Sequence, residues 1–122
     1  MKQVIRTLDY PIVETKAGKL HGFVQDGVFH FHGIRYGQAE RFEPAKPLAW
    51  EGVKDAKAYG YICPLLPEEK GSPDDPMAAP FNSFEMPHVY WPMDEQCLYL
   101  NVWTKHIERD AKKPVLVWLH GG

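Results

Sequence analysis

Hydrophobic and polar positions divide the chain into three parts. The first third predicts strands: a short one over Ile12 to Thr15, a turn at Ala17-Gly18, then two β-rich runs, Leu20 to Gln25 and Val28 to Phe31. Only Asp26-Gly27 separates those runs, and a two-residue Asp-Gly link predicts a hairpin, because a type I′ turn needs positive φ at both central positions. The last third predicts strands again, at Leu98 to Thr104 and Val115 to Leu119, joined by a polar, charged surface connection over Ile107 to Lys113. Val115 to Leu119 is an unbroken apolar run, the pattern of a strand buried on both faces.

The middle follows neither period. Seven of the eleven prolines lie between Pro64 and Pro92. Proline removes backbone donors and fixes φ, which rules out a long helix or a central strand there. The same stretch carries Phe81, Phe84, Met86, Tyr90, Trp91 and Met93. That much apolar surface predicts a coil packed against something rather than a solvated linker.

The strand at Val115 needs cover on two sides, since each large apolar side chain contributes roughly 1.5–3 kcal/mol when fully buried. No helical layers are predicted in this chain to provide it. The cover is expected from sequence beyond Gly122 or from a second chain.

Composition narrows the function. The 122 residues make one domain or part of one, with the apolar fraction (44%) and charged fraction (25%) of a globular protein. A net charge of −2, with scattered Lys and Arg, leaves no basic face for nucleic acid. No apolar run approaches the roughly 20 residues that cross a bilayer. Met1 to Thr15 carries Lys2, Arg6 and Asp9 and lacks the apolar core of a secretory signal, so a cytoplasmic protein is expected.

Two cysteines, Cys63 and Cys97, are too few for a disulfide scaffold, and their spacing is not that of a zinc site. They are free thiols in a reducing compartment, or a bridge closing a loop of about 35 residues worth roughly 4 kcal/mol. His30 and His32 alternate on one strand and share a face. With no third ligand in view they are expected to be surface histidines, and no metal or other cofactor is expected.

The candidate chemistry lies at the end of the last strand, which delivers His120, Gly121 and Gly122. A strand ending in His-Gly-Gly is the local form in which lipases and esterases present backbone N–H groups to a developing oxyanion. Glycine lets that backbone turn sharply and approach the substrate closely. No nucleophile accompanies it: Ser72 and Ser83 are the only serines, and neither sits in a G-x-S-x-G elbow.

Several segments, in order, resemble the type B carboxylesterases, the family of the cholinesterases and the para-nitrobenzyl esterases. Val13-Glu14-Thr15 with Gly18 and Gly22 resembles the family's opening strands. Phe31-His32-Gly33-Ile34-Arg35-Tyr36 is similar to its phenylalanine–glycine–isoleucine–proline–tyrosine motif, with Arg35 in place of the proline. Arg41-Phe42, Pro44, Pro47, Trp50 and Asp55-Ala56 follow as expected landmarks. Glu95-Gln96-Cys97-Leu98-Tyr99-Leu100-Asn101-Val102 resembles the family signature, with Gln96 where aspartate is common, and Val115 to Gly122 matches the strand and glycine loop.

The resemblance implies an α/β-hydrolase fold, of which residues 1–122 are the N-terminal part: antiparallel strands, first core strands and long loops. It implies ester hydrolysis through a serine acyl-enzyme, acting on a small-molecule ester, with the remainder of the hydrolase domain as the necessary partner. Gly122 is the N–H donor, Gly121 shapes the turn, and His120 holds the loop rather than serving as catalytic base. No triad residue lies in this chain, so the chain alone is expected to be inactive, and because its core strand lacks cover it is expected to be poorly folded. Arg41 and Glu95 are implied as a structural ion pair, expected to be buried, and Cys63 and Cys97 as the family's first disulfide. The segment from Cys63 to Trp91 either lines the active-site entrance or supplies core aromatics. A non-catalytic binding or adhesion protein on the same fold is the alternative, since fold does not decide function.

Overall fold

A computed structural model describes residues 6–64 and 92–120 of the chain. These residues form nine strands and, among them, no helix: β1 (Arg6–Thr7), β2 (Ile12–Glu14), β3 (Lys19–His21), β4 (Phe23–Gln25), β5 (Val28–Arg35), β6 (Gly37–Gln38), β7 (Lys46–Pro47), β8 (Val53–Asp55) and β9 (Tyr99–Thr104). A four-stranded antiparallel sheet runs in the order β1-β4-β5-β9, and a three-stranded sheet in the order β2-β3-β8. In the second sheet β3 pairs antiparallel with β2 and parallel with β8.

The Asp26-Gly27 hairpin forms as its sequence requires. Asp26 and Gly27 take φ values of 50° and 77°, and β4 returns along β5 with Gln25 opposite Val28. Two positive φ values match the right-handed twist of the flanking strands. The run Leu20 to Gln25 is not one strand, however. It breaks at Gly22, whose N–H donates to the Pro11 carbonyl at 2.9 Å, and its halves enter different sheets. A Cβ at Gly22 would meet the His30 carbonyl oxygen and the Phe31 ring, so only glycine fits where the chain crosses between sheets.

β5 is the spine. It is longer than the apolar run alone predicts, because it continues through a bulge at Gly33, where its register on β9 shifts between Phe31 and Ile34. Gly33 has φ 63°, and its N–H donates to the Asn101 side-chain oxygen at 2.9 Å, which replaces the lost ladder bond. The His32 N–H donates to the Ala56 carbonyl and the Ala56 N–H to the His21 carbonyl, both at 2.8 Å, tying the two sheets together. Leu20, Phe31 and Ala56 form the buried centre of this junction, with Val13, Phe29, Ile34, Trp50 and Ile107 packed against it.

Val115 to Leu119 departs from its expectation. It pairs with no strand among the described residues, and its side chains are 71–92 % exposed. No strand forms over these residues: among the described residues no neighbouring strand offers backbone partners, so the apolar pattern has nothing to pair with or bury against. Most of the proline-rich middle, with Phe81, Phe84, Met86, Tyr90 and Trp91, lies outside the described residues. Its flanks are joined: Ile62 bridges Met93 in parallel, with the Ile62 N–H donating to the Pro92 carbonyl at 3.0 Å and the Asp94 N–H to the Ile62 carbonyl at 3.1 Å.

Candidate functional site

Gly121 and Gly122 lie outside the described residues, so the geometry of the glycine loop begins at His120, which is exposed. The residues that the resemblance groups with it are set around the entry to β9. Arg41, in the loop after β6, places its guanidinium against the Glu95 carboxylate just before β9. The expected burial of this pair is not met: the two side chains are 65 % and 55 % exposed. Nothing among the described residues covers that corner, so water screens the pair. The Glu95 carboxylate, by hydrogen bond and charge, still holds the Arg41 guanidinium further toward its protonated form.

Arg35 and Gln96 form a second link at the same corner. Arg35 Nη2 donates to Gln96 Oε1 at 2.6 Å, and Gln96 Nε2 donates to the Ala39 carbonyl at 2.9 Å. The Gln96 N–H in turn donates to Asp94 Oδ1 at 2.7 Å. The start of β9 is thereby fixed to the end of β5 and the turn beyond β6.

Cys63 and Cys97 are free thiols in this structure, Cys63 exposed and Cys97 half-buried. Burial pushes the Cys97 thiol up, and the charge and hydrogen bond of neighbouring Cys63 push it further. The Cys63 thiol donates to the Pro64 carbonyl at 3.7 Å, at the edge of the proline-rich segment.

The histidine expectation is corrected on one point. His30 and His32 do share a face, but His32 is 6 % exposed and is no surface residue. The loop carrying Tyr59 folds over the strand and stacks its ring on the His32 imidazole, with centroids 4.3 Å apart. Alternation along one strand fixes a shared face and says nothing of what a distant loop lays on it.

Comparison with known proteins matches residues 9–122 to the model of the carboxylesterase family. The phenmedipham hydrolase of Pseudarthrobacter oxydans is 40% identical over 117 residues, covering 92% of this chain and 22% of that protein. The para-nitrobenzyl esterase of Bacillus subtilis (strain 168) is 36% identical over 120 residues, covering 94% of this chain and 22% of that protein. Among solved structures, an esterase from Clostridium hathewayi described as hydrolysing aliphatic aromatic polyesters superposes with a TM-score of 0.75 at 44% identity, covering 100% of this chain and 23% of that one. The chain thus spans about a fifth of the length of the curated relatives it matches. These structural neighbours are carboxylesterases of the α/β-hydrolase fold, and the strands described above correspond to a part of it.

Proposed function

Because this chain belongs to the carboxylesterase family, we propose that it is the N-terminal part of a carboxylic ester hydrolase and carries the first half of its oxyanion hole. The observation that carries this reading is that the family match runs through Gly122 and so includes the His120-Gly121-Gly122 turn. In this role the Gly122 N–H points at the carbonyl oxygen of a small-molecule ester as it becomes an oxyanion. Gly121 shapes the approach and His120 holds the loop. Preorganised donors of this kind act only as charge develops, so they lower the barrier without tightening ground-state binding.

The serine nucleophile, its histidine base and the acidic partner lie outside residues 1–122, in the remainder of the hydrolase domain. That remainder also provides the cover that Val115 to Leu119 lacks. The test is p-nitrophenyl butyrate cleavage by the isolated 122-residue chain. No turnover above the uncatalysed rate is the expected result, and clear turnover would overturn the assignment of the triad to other sequence.

A further inference from the structure

A cavity of about 270 Å³ opens where the two sheets meet. Leu20 from β3, Ile34 from β5, Tyr99 from β9 and Trp50 give it apolar walls, and Arg35, Lys54 and Asp55 bring charge to its lining. The one carboxylate does not match the two cations, because Asp55 is engaged by the Lys57 ammonium at 3.1 Å. Arg35 Nε donates to the Gly37 carbonyl at 3.3 Å and Arg35 Nη2 to Gln96 Oε1, both neutral acceptors, and Nη1 has no acceptor among the described residues. The Lys54 ammonium lies over the Trp50 ring, 4.8 Å from its centroid, and pairs with no carboxylate among the described residues. We propose that this cavity binds a small carboxylate with an apolar body, about the size of benzoate, with Arg35 and Lys54 as its cationic partners.

Charge and walls together define that class. Burial strips water from a half-buried guanidinium, and neutral acceptors restore only part of what the charge loses, so an anion is its fitting partner. The planar fork of arginine matches a carboxylate, to which it donates parallel N–H bonds, while the lysine ammonium adds a point charge that fixes no angle. Leu20, Ile34 and the two rings favour a ligand whose carbon body displaces water from them, over a bare hydrated ion. Arg35 stands where the motif that this segment resembles has proline, so the fork is a feature of this chain and not of the motif.

The walls are set before a ligand arrives. The Trp50 indole N–H donates to the Lys19 carbonyl at 2.9 Å, and the ring presses on Gly18, where a Cβ would collide with it. Tyr99 is the cross-strand partner of Arg35 and packs against Gly60, where a Cβ again has no room. The parallel pairing of β3 with β8 holds Lys54 opposite Leu20. Little order therefore remains to be imposed on binding. The site uses none of the residues assigned to ester hydrolysis and stands or falls separately from that reading.

The experiment titrates sodium benzoate into the complete hydrolase domain carrying isotope-labelled isoleucine methyl groups, with the Ile34 resonance identified by I34V. A saturable shift of the Ile34 methyl is expected, which reports this cavity and not the ester site. Benzamide, the neutral isostere, and acetate, which carries the charge without the body, should each bind roughly tenfold or more weakly. K54Q should weaken benzoate roughly two- to fivefold, as befits an exposed ion pair, and R35Q roughly tenfold or more. K105Q, beyond the far end of β9, should leave it unchanged. Lys54 is exposed and outside the core, so K54Q is the variant that decides if R35Q fails to fold. An Ile34 resonance that does not move would show the cavity filled by the protein's own chain and would overturn the proposal. Equal affinity for benzamide or acetate, or equal affinity in K54Q, would overturn it as well.

Discussion

Arg35 and Gln96, which stand 61 positions apart in the chain, are bonded directly: the Arg35 guanidinium donates to the Gln96 side-chain oxygen at 2.6 Å. They are also the two positions where this chain departs from the family motifs it resembles. A proline at position 35 has no side-chain donor, so the bond to Gln96 depends on the arginine. The pair fastens the start of β9 to the turn after β6 through the Ala39 carbonyl.

The first prediction follows from that bond. Because the chain alone is expected to be poorly folded, unfolding of all variants is measured in the complete hydrolase domain; there R35L and Q96L should each destabilise the folded protein, and the double variant should cost less than the sum. A charged donor on a neutral acceptor in a half-buried setting contributes roughly 1.5–3 kcal/mol, and a double-mutant cycle by urea unfolding should return a coupling of about 1 kcal/mol. Strict additivity would mean that the contact contributes nothing.

The Arg41–Glu95 pair behaves differently because it is exposed. E95Q should shift the unfolding midpoint less than R35L does, and molar salt should erase that shift. A large, salt-independent loss in E95Q would show that this corner is covered in the folded protein.

Gly22 and Gly27 separate two kinds of glycine. G22A drives a Cβ into the His30 carbonyl and the Phe31 ring, whereas a Cβ at Gly27 meets nothing within 4 Å. G22A should therefore cost roughly 1–3 kcal/mol or more through overpacking. G27A should cost about 1 kcal/mol, from its φ of 77° alone. Thermal or urea unfolding of the two variants side by side checks the order, and a milder G22A would contradict it.

The thiols give a pH-dependent test. Burial, with the neighbouring Cys63, raises the Cys97 thiol, so its reactive thiolate appears only at higher pH than for an ordinary cysteine. Alkylation with iodoacetamide followed by mass spectrometry should label exposed Cys63 before Cys97 near pH 8, and the gap should narrow as pH rises. The sign for stability is the same: with the folded value raised, the neutral Cys97 contributes fully below the usual thiol range, and that contribution is lost as pH climbs through the raised value. Equal labelling at all pH values would contradict the burial.

Much of this arrangement is legible in the residues, and the parts that are not have definite causes. The Asp26-Gly27 hairpin and the strand at Tyr99–Thr104 depend on local turn chemistry and apolar runs, and both form. The split at Gly22 and the bulge at Gly33 were hidden because each arises from the approach of a distant backbone, Pro11 in one case and Ala58 in the other. The burial of His32 depends on Tyr59, which no strand periodicity reveals. The apolar run at Val115 to Leu119 states a demand for neighbours that the described residues do not meet. Of the candidate site, Arg41 with Glu95 is visible as a pair, whereas the positions of Gly121 and Gly122 lie outside the described residues.

The most direct test of the central claim is a chimera in which residues 1–122 replace the corresponding segment of the Bacillus subtilis para-nitrobenzyl esterase, to which this chain is 36% identical. The account predicts that the chimera hydrolyses p-nitrophenyl butyrate, with this chain's own Gly122 facing the oxyanion. A chimera that melts cooperatively, binds the ester and yet shows no turnover would contradict it.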